Sequence, residues 1–376
     1  MTTDTSISNP RVLITGGAGF IGSRLAAALS ATATVTVFDN FHPQVHDGNP
    51  ENRDRLARHA ITVIEGDVRD AAAVADAVAR TRPQIIYHLA AETGTGQSFD
   101  LVTRYNDVNI MGTAHLIEAI RAHAPDLARI ILAGSRSVYG EGACVDAEGR
   151  PTPAVERLDA DLARGDFAPR DRDGHSLVPV PTDATCVVAP ASIYASTKLM
   201  QEYLLSQAFW GSDIAVGILR LQNVYGPGQS LNNPYTGVLS IFTRQIVEGK
   251  TLNIYEDGEI TRDFVLVNDV VAAFAAMGRV ARMPRDIVDI GSGEPATILD
   301  VATRLLGLLG APQDRYTITG AYRPGDIRYA VADITRARDA LDWRPSKTLD
   351  QGLEALVAWS REMMIAETTF RKRTPS

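Results

Sequence analysis

Short apolar runs alternate with amphipathic stretches along the first half of the chain. The runs are three or four residues long, as expected of strands buried on both faces, and they lie at 12–14, 35–38, 61–64, 85–87 and 130–132. The stretches between them carry apolar residues at helical spacing, which predicts helices. Strands that alternate with helices need right-handed crossovers and form a parallel sheet covered by helices on both sides. The pattern therefore predicts a doubly wound α/β fold.

The pattern changes between residues 141 and 190. This segment has six prolines, many aspartates and arginines and little periodicity, which predicts a long loop or a small subdomain. Beyond it, helical periodicity returns at 192–208 and is followed by a strand at 214–219. The rest of the chain is predicted to hold further helices near 238–247, 270–280, 298–309 and 349–359.

Composition excludes several classes of protein. The net charge of −8 argues against binding to a nucleic-acid backbone. Two cysteines in 376 residues exclude a disulfide scaffold and a cysteine-based zinc site. The chain has no run of eighteen apolar residues and its first ten residues lack an apolar core, so we expect a cytoplasmic protein without a membrane-spanning helix.

The histidines give little support for a metal site. His42 and His46 lie four residues apart, but Pro43 stands between them in a predicted loop and no third ligand is evident. We therefore expect a surface pair and no bound metal. His88 stands at a predicted strand end and is expected to be a packing residue.

The first strand runs directly into the glycine-rich sequence TGGAGFIG at 15–22. Gly16, Gly19 and Gly22 lack a Cβ, so the backbone can turn tightly, approach a diphosphate and let the helix pack on the strand. The N-terminus of the following helix faces the anion. A glycine-rich turn can also be purely structural, but its place between the first strand and the first helix favours a dinucleotide site.

The second strand ends at Asp39, seventeen residues after Gly22, where a carboxylate can hydrogen-bond a ribose. No arginine follows until Arg53, so nothing nearby in sequence would neutralise a 2′-phosphate, and NAD is favoured over NADP. Asp67, after the third strand, either faces the adenine or is an ordinary turn residue. The first half of the chain is therefore predicted to bind NAD.

Tyr194 and Lys198 lie four residues apart in a predicted helix and hence on one face of it. The chain has eleven tyrosines but only four lysines, so chance accounts poorly for the pair. A nearby cation, together with an oxidised nicotinamide, lowers the pKa of a phenol and makes it a base near neutral pH. At the end of the fifth strand, Ser135 is placed to donate a hydrogen bond to a reacting oxygen, whereas Ser137 is expected to be a turn residue.

These motifs resemble those of the NAD-dependent epimerase/dehydratase family, a group of extended short-chain dehydrogenases/reductases. The resemblance covers residues 11–360 and rests on motifs in the order of that family: TGGAGFIG, Asp39, GDV at 66–68, HLAA at 88–91, DVNIMGT at 107–113, SRSVYG at 135–140, YASTK at 194–198, LQNVYGPGQ at 221–229, RDFV at 262–265 and RPGD at 323–326. It implies a Rossmann sheet, bound NAD, a nucleotide-diphosphate sugar as substrate and a smaller C-terminal α/β domain that binds this substrate.

The resemblance also implies the residues of the site. Ser135, Tyr194 and Lys198 are the implied catalytic residues, and Lys198 also holds the nicotinamide ribose. The implied NAD contacts are Gly16, Gly19, Phe20, Ile21, Gly22, Asp39, Asn40, Asp67, Val68, Leu89, Ala90, Ala91, Asn109, Tyr194 and Lys198. The implied substrate contacts are Ser135 and Arg136 at the sugar, Asn223, Arg262 and Arg323 at the diphosphate, and Asp326 at the ribose of the nucleotide.

The residues around the catalytic hydroxyl narrow the reaction. The 4,6-dehydratases of the family carry an acidic residue just after that hydroxyl, and this chain has Arg136 and Ser137 there, which disfavours dehydration. The 3,5-epimerase/reductases use a cysteine in this motif, whereas Cys144 lies beyond it. What remains is the minimal apparatus for transferring a hydride and returning it, which favours a 4-epimerase that works through a transient 4-keto sugar.

Segments 90–98 and 221–242 are most similar to the dTDP-L-rhamnose 4-epimerase branch of the family. An epimerase of another nucleotide hexose, such as UDP-glucuronate or a GDP-hexose, and a reductase of 4-keto sugars remain alternatives. A non-catalytic protein that senses NAD is a further alternative, although such proteins usually lack the tyrosine and lysine pair.

The predicted organisation has three parts: a disordered tail at 1–10, an NAD-binding Rossmann domain at 11–220 that contains the 141–190 insert, and a mainly nucleotide-sugar-binding domain at 221–376 that is partly interleaved with the first. The resemblance also implies a homodimer that pairs the helices near 100–122 and 192–208.

Overall fold

The computed structural model describes residues 8–46, 50–230, 237–284, 287–323 and 325–373. Most of the predicted tail at 1–10 lies outside these residues, as do 231–236 of the 221–242 segment and Pro324 of the RPGD motif. The strands are, in chain order, β1 (Arg11–Thr15), β2 (Thr34–Asp39), β3 (Thr62–Glu65), β4 (Ile85–His88), β5 (Arg129–Ser135), β6 (Cys144–Val145), β7 (Val178–Pro179), β8 (Ala215–Leu221), β9 (Asn223–Tyr225), β10 (Leu252–Ile254), β11 (Thr261–Arg262), β12 (Phe264–Leu266), β13 (Val288–Ile290), β14 (Ala296–Thr297), β15 (Tyr316–Ile318) and β16 (Tyr329–Ala330).

A parallel sheet of seven strands forms the centre of the molecule, in the order β13-β8-β5-β4-β1-β2-β3. The order runs outward from β1 in both directions, as in Rossmann folds. The predicted doubly wound sheet is therefore confirmed. Its last strand, β13, comes from the C-terminal half of the chain, beyond the predicted domain boundary after residue 220.

Both faces of the sheet are buried, as the short apolar runs predict. In β1, Val12 and Ile14 belong to one hydrophobic cluster, whereas Leu13 belongs to another. Successive side chains of a strand point to opposite faces, so the two clusters lie on opposite sides of the sheet. A third cluster lies away from the sheet and is formed by α10, α12, α14 and the short strands near them.

The helices cover the sheet and build the region beyond it. They are α1 (Gly22–Leu29), α2 (Pro43–His46), α3 (Glu51–Arg58), α4 (Ala71–Thr81), α5 (Thr95–Asp100), α6 (Val102–Tyr105), α7 (Gly112–His123), α8 (Asp159–Leu162), α9 (Ile193–Ala208), α10 (Val238–Val247), α11 (Val267–Arg279), α12 (Ile298–Leu309), α13 (Thr335–Leu341) and α14 (Leu349–Arg373). The sequence predicted α14 to end near residue 359, and the helix is longer. Within the described residues, no helix has both the length and the apolar character needed to cross a membrane.

Two details of the helices matter for the site. Helix α9 begins where predicted because the Ser192 hydroxyl accepts a hydrogen bond from the Ala195 N–H at 3.1 Å, which caps the helix. Residues Asn106–Met111 form a π-helical turn between α6 and α7, where the sequence predicted a continuous helix. A π-turn lengthens the helical repeat by one residue, and a shift of one position in the apolar spacing is too small to recognise in a short stretch of sequence.

The 141–190 insert has little regular structure of its own. Strands β6 and β7 pair antiparallel, and α8 is a single turn. Three of its apolar side chains are nonetheless buried: Leu162, Phe167 and Leu177. The insert is thus packed against the rest of the protein.

Candidate active site

The glycine-rich turn lies at the point where the strand order of the sheet reverses, between β1 and its neighbours β2 and β4. Gly16 has φ +66° and its N–H donates to the Phe38 carbonyl at 2.9 Å, which holds the turn against β2. A Cβ on Gly16 would lie 2.6 Å from the Ala90 nitrogen at the end of β4. Only glycine fits there, so the turn leaves a groove of backbone atoms, as a dinucleotide diphosphate requires.

Asp39 stands at the end of β2 with its carboxylate held on both sides. One oxygen accepts from the Ala18 N–H at 2.9 Å, and the other accepts from the Phe41 N–H at 2.8 Å. The side chain is nearly buried and lines the same cleft as the glycines. Each carboxylate oxygen has a second lone pair, so Asp39 can still accept bonds from ribose hydroxyls.

Asp67 is engaged in local pairs. Its carboxylate accepts from the Arg69 guanidinium at 2.8 and 3.0 Å and from the Asn40 amide at 2.9 Å. Hydrogen bonding to Arg69 holds the pKa of Asp67 well below its usual range. The side chain does not line the cleft, whereas Val68 does. A contact between Asp67 and adenine stays a prediction.

The cleft has a volume of about 440 Å³ and runs from the glycine-rich turn to α9. It brings together most of the predicted cofactor and catalytic residues, namely Gly16, Gly19, Phe20, Ile21, Gly22, Asp39, Asn40, Val68, Leu89, Ala90, Ala91, Ser135, Tyr194 and Lys198. Asn109 lies behind the cleft wall. It is fully buried in the π-turn, where its amide group bonds the Glu92 backbone and the Thr197 hydroxyl.

Tyr194 and Ser135 meet at the end of the cleft that is remote from Asp39. Tyr194 lies in the first turn of α9, with the Tyr105 ring edge-on at 6.4 Å. The Ser135 hydroxyl lies 2.9 Å from the Ser137 hydroxyl and caps the 3₁₀ turn that follows β5. Burial raises the pKa of Tyr194, and the Ser135 hydroxyl and the Arg136 guanidinium only partly oppose this rise. A lowering of this pKa by a nearby cation together with an oxidised nicotinamide stays a prediction. The Lys198 ammonium here bonds another residue.

That residue is Gln201, one turn further along α9. The Lys198 ammonium donates to its Oε1 at 2.5 Å, and the Gln201 amide donates to the Thr113 hydroxyl at 2.9 Å. Burial lowers the pKa of Lys198 to about 8, although the charge of Glu202 opposes this. The lysine is therefore still a cation at pH 7, and its ammonium group is hydrogen-bonded to the neutral amide of Gln201.

His88 lies on the far side of Gln201. Its ring nitrogens lie 2.7 Å from the Thr15 hydroxyl and 2.9 Å from the Thr113 hydroxyl, so it belongs to a buried polar network. The expectation of a mere packing residue was wrong, because both ring nitrogens are hydrogen-bonded. Burial lowers the pKa of His88 to about 3, which keeps the ring neutral beside the Lys198 cation.

The predicted substrate residues do not all lie together. Arg262 is buried and donates to the Asp326 carboxylate at 2.6 Å. Arg136 lies near this pair, since burial and then the charge of Arg262 lower its pKa to about 9. Arg323 lies apart on the surface, where it stacks on the Tyr255 ring at 4.6 Å. The Asn223 Oδ1 is buried without a hydrogen-bond partner.

Sequence reasoning missed Gln201, which is buried behind the cleft, and His46, which lines it. Gln201 follows Lys198 at helical i, i+3 spacing, a signal that was available. His46 was expected on the surface, but its side chain is only 10% exposed and its Nε2 lies 3.5 Å from the Asp39 carboxylate. The short helix α2, which the sequence pattern did not predict, turns His46 toward the cleft.

One group of three potential metal ligands occurs in the described part of the chain. Asp171, Asp173 and His175 lie together on a turn of the insert, far in sequence from the cleft. The Asp171 carboxylate already accepts the backbone N–H groups of the other two residues. This turn geometry accounts for the cluster.

Comparison with known proteins agrees with this geometry. Residues 13–152 match the GDP-mannose 4,6 dehydratase family, and residues 172–291 match the NAD dependent epimerase/dehydratase family. A dTDP-L-rhamnose 4-epimerase of Burkholderia thailandensis is 41% identical over 94% of this chain and 95% of its own length. A UDP-glucose 4-epimerase of Mycolicibacterium smegmatis is 30% identical over 93% of this chain and 98% of its own length.

Solved structures resemble the fold as a whole. The UDP-glucuronic acid 4-epimerase of Bacillus cereus, in complex with UDP-glucuronic acid and NAD, superposes with a TM-score of 0.77. The two sequences are 27% identical, and the match covers 94% of this chain and 99% of the other.

Proposed function

Since this chain belongs to the NAD-dependent epimerase/dehydratase family, we propose that it interconverts dTDP-L-rhamnose and dTDP-6-deoxy-L-talose. The chain is an NAD-dependent nucleotide-sugar 4-epimerase, and the sugar and the base are what the proposal adds. The observation that carries the proposal is the 41% identity to a dTDP-L-rhamnose 4-epimerase over nearly the whole of both chains.

The residues of the cleft fit NAD. The Gly16 turn has no room for a side chain and faces the cleft with backbone atoms, and Asp39 presents a fixed carboxylate at the other end. NAD bound there would accept a hydride from C4 of the sugar and would return it to the opposite face of the 4-keto sugar. The protein binds both groups and moves the proton of the C4 hydroxyl.

Tyr194 is the residue proposed to move the proton. It is titratable, lines the cleft and lies within hydrogen-bonding reach of Ser135. As a phenolate, Tyr194 takes the proton from the C4 hydroxyl. It gives the proton back after the 4-keto sugar has rotated to present its opposite face. Ser135 donates a hydrogen bond to the same sugar oxygen. The Lys198 cation, which is buried nearby, stabilises the phenolate.

A second candidate substrate is a nucleotide uronate, favoured by Arg136. Its guanidinium lies near Tyr194 and makes no hydrogen bond or ion pair with the described part of the chain. A carboxylate at C6 of the sugar would satisfy it. If Arg136 contacts the diphosphate instead, the proposal that dTDP-L-rhamnose is the substrate is unaffected.

The experiment is a substrate comparison. Purified protein with NAD is incubated separately with dTDP-L-rhamnose, UDP-glucuronate and UDP-glucose, and the sugars are followed by proton NMR and by absorbance at 340 nm. We expect inversion at C4 of dTDP-L-rhamnose without stoichiometric change in NADH. Inversion of UDP-glucuronate alone would replace the proposal with the second candidate. Net formation of NADH from NAD, which is keto-sugar reduction in reverse, would make the protein a reductase. Binding without turnover would make it a sensor.

A homodimer is part of the proposal. Helices α5, α6 and α9 and the π-turn pack against one another and expose large apolar side chains. These side chains are between 40% and 48% exposed, and they are Phe99, Val102, Met111, Met200 and Tyr203. Such a patch is typical of a surface that a second subunit covers.

Light scattering tests the dimer. We expect a mass of two chains for the native protein and of one chain for a Met111→Glu, Tyr203→Glu double variant. Trp210→Ala is the matched control, because Trp210 is 90% exposed but lies beyond the end of α9. A native protein with the mass of one chain would contradict the dimer.

A further inference from the structure

Arg157 is the most deeply buried cation of the 141–190 insert. Its side chain is only 4% exposed, and its three nitrogens donate in three directions. Nε donates to Glu141 at 2.9 Å, Nη1 to Glu256 at 2.9 Å, and Nη2 to the backbone carbonyl of Asp326 at 2.7 Å. The insert is thereby joined to two segments that lie far away in sequence.

Arg328 joins the same two carboxylates from the opposite side. Its backbone N–H donates to Glu141 at 2.9 Å, and its guanidinium donates to Glu256 at 2.9 Å. Each of the two buried carboxylates thus has a partner on both sides, and the Arg328 guanidinium also pairs with the exposed Asp257 at 2.7 and 2.8 Å. As a result, both ends of the short segment 326–328 are hydrogen-bonded. Arg157 donates to the carbonyl of Asp326 at one end, and Arg328 at the other end donates to Glu141 and Glu256.

The held segment carries a predicted substrate residue. The Asp326 carboxylate accepts from Arg262 at 2.6 Å, while the Asp326 carbonyl accepts from Arg157. The position of this carboxylate, and of the Arg262 guanidinium paired with it, therefore depends on where the Asp326 backbone lies. Arg136 lies close to that pair, on the side of Tyr194.

Segment 325–327 also lines a cavity that it shares with the insert. The cavity has a volume of about 700 Å³, and Arg157, Glu141 and Asp326 are in its lining. Within this lining, the hydrogen bond from Arg157 to the Asp326 carbonyl is a direct link between the insert and the segment. A guanidinium has the fork of donors needed to reach Asp326 and both glutamates at once, which an ammonium lacks.

We propose that Arg157 is a positioning residue of the nucleotide-sugar site, and that the insert serves to place it. Arg157 holds the Asp326 backbone so that the Asp326 carboxylate and Arg262 face the nucleotide-diphosphate portion of the substrate. This inference rests on the proposed function, since it assumes that the substrate is a nucleotide sugar. It assigns no contact between Arg157 and the substrate itself.

The test compares Arg157→Met with Arg157→Lys and with Arg164→Ala. Arg164 is a matched control, because it lies in the same insert, is 67% exposed and pairs with nearby Asp161. Calorimetry gives the affinities for dTDP and for NAD separately, and initial rates give KM and kcat for the sugar that the native enzyme turns over.

For Arg157→Met we expect the affinity for dTDP to fall about tenfold or more and KM to rise in parallel, since a hydrogen bond from a charged group is lost. NAD affinity and kcat change less than twofold. Arg157→Lys recovers part of the affinity, and Arg164→Ala resembles the native enzyme. An Arg157→Met protein with native dTDP affinity overturns the inference. An equal loss of NAD and dTDP affinity also overturns it, because it shows a merely structural role.

A double-variant cycle adds a readout that does not depend on the stability of one variant. If Arg157 acts through Asp326, then Arg157→Lys and Asp326→Ala have non-additive effects on dTDP affinity. Additive effects contradict the inference. A native protein that binds NAD but neither dTDP nor UDP contradicts the proposed function instead, so the two failures are distinguishable.

Discussion

Replacing Gln201 with leucine removes the hydrogen-bond acceptor of the Lys198 ammonium. The ammonium is buried and donates to the Gln201 carbonyl oxygen at 2.5 Å. Leucine fills a similar volume without offering an acceptor. His88 does not replace it, because both of its ring nitrogens are already bonded to the hydroxyls of Thr15 and Thr113.

The size of the effect follows from the charge. A hydrogen bond to a charged group stabilises it by about 1.5–3 kcal/mol, and 1.36 kcal/mol corresponds to one pKa unit. Burial has already lowered the pKa of Lys198 to about 8, and Glu202 is the charge that opposes this. Without Gln201, we expect the pKa of Lys198 to fall by about one further unit or more. At pH 7 the protonated fraction then drops from about nine tenths to about one half.

The assay is the pH profile of kcat/KM between pH 5.5 and 9.5. A lowered pKa means that the lysine loses its charge at lower pH, so the basic limb of the profile moves down by about one pH unit or more in Gln201→Leu. In Gln201→Glu the basic limb moves up, because a carboxylate favours the ammonium form. Met200→Leu is the control, since Met200 is the neighbouring residue of α9 and is 40% exposed.

A Gln201→Leu enzyme that folds, binds NAD and keeps the native basic limb would refute this reasoning. It would show that the charge of Lys198 is set by Glu202 or by the bound cofactor, with no contribution from the amide.

Three further predictions concern the cleft and the sheet. Gly16→Ala should weaken NAD binding at least about tenfold in a calorimetric titration, because the new Cβ lies 2.6 Å from the Ala90 nitrogen and φ is +66°; native affinity would contradict the role of this turn. Tyr194→Phe should lower kcat by about 10²–10⁴ while NAD affinity stays native, since the proton acceptor is lost; undiminished turnover would exclude Tyr194 as the base. Burial raises the pKa of Asp289 to about 7, so this group favours folding below pH 4 and loses that contribution as the pH rises to 7; in Asp289→Asn, the free energy of unfolding from urea titrations should lack this decline, of up to about 4 kcal/mol.

Local patterns determined the main features of the fold. The short apolar runs predicted the parallel sheet, because a strand buried on both faces needs apolar residues at every position. Helices α9 and α12 begin and end close to the predicted residues, since capping residues and amphipathic spacing are both local. The same holds for the glycine-rich turn and for the spacing of Tyr194 and Lys198.

The sequence pattern was weakest where structure depends on one extra residue or on a weak periodic signal. The π-turn at Asn106–Met111 changes the apolar spacing of the helix by one residue, which so short a segment did not reveal. The short helix α2 has no amphipathic pattern long enough to predict it. His46 was therefore expected on the surface, although α2 turns it toward Asp39.

The sequence by itself determined the family, the parallel sheet, the preference for NAD and the order of the motifs, because each rests on residues that are close together along the chain. Only the tertiary structure decided which residues hold the Gln201 amide and the Asp326 backbone. Gln201 meets Thr113 across 88 positions, and Arg157 meets Asp326 across 169. Contacts of this kind depend on how separate segments pack around a buried charge, and hydrophobic periodicity carries no information about that.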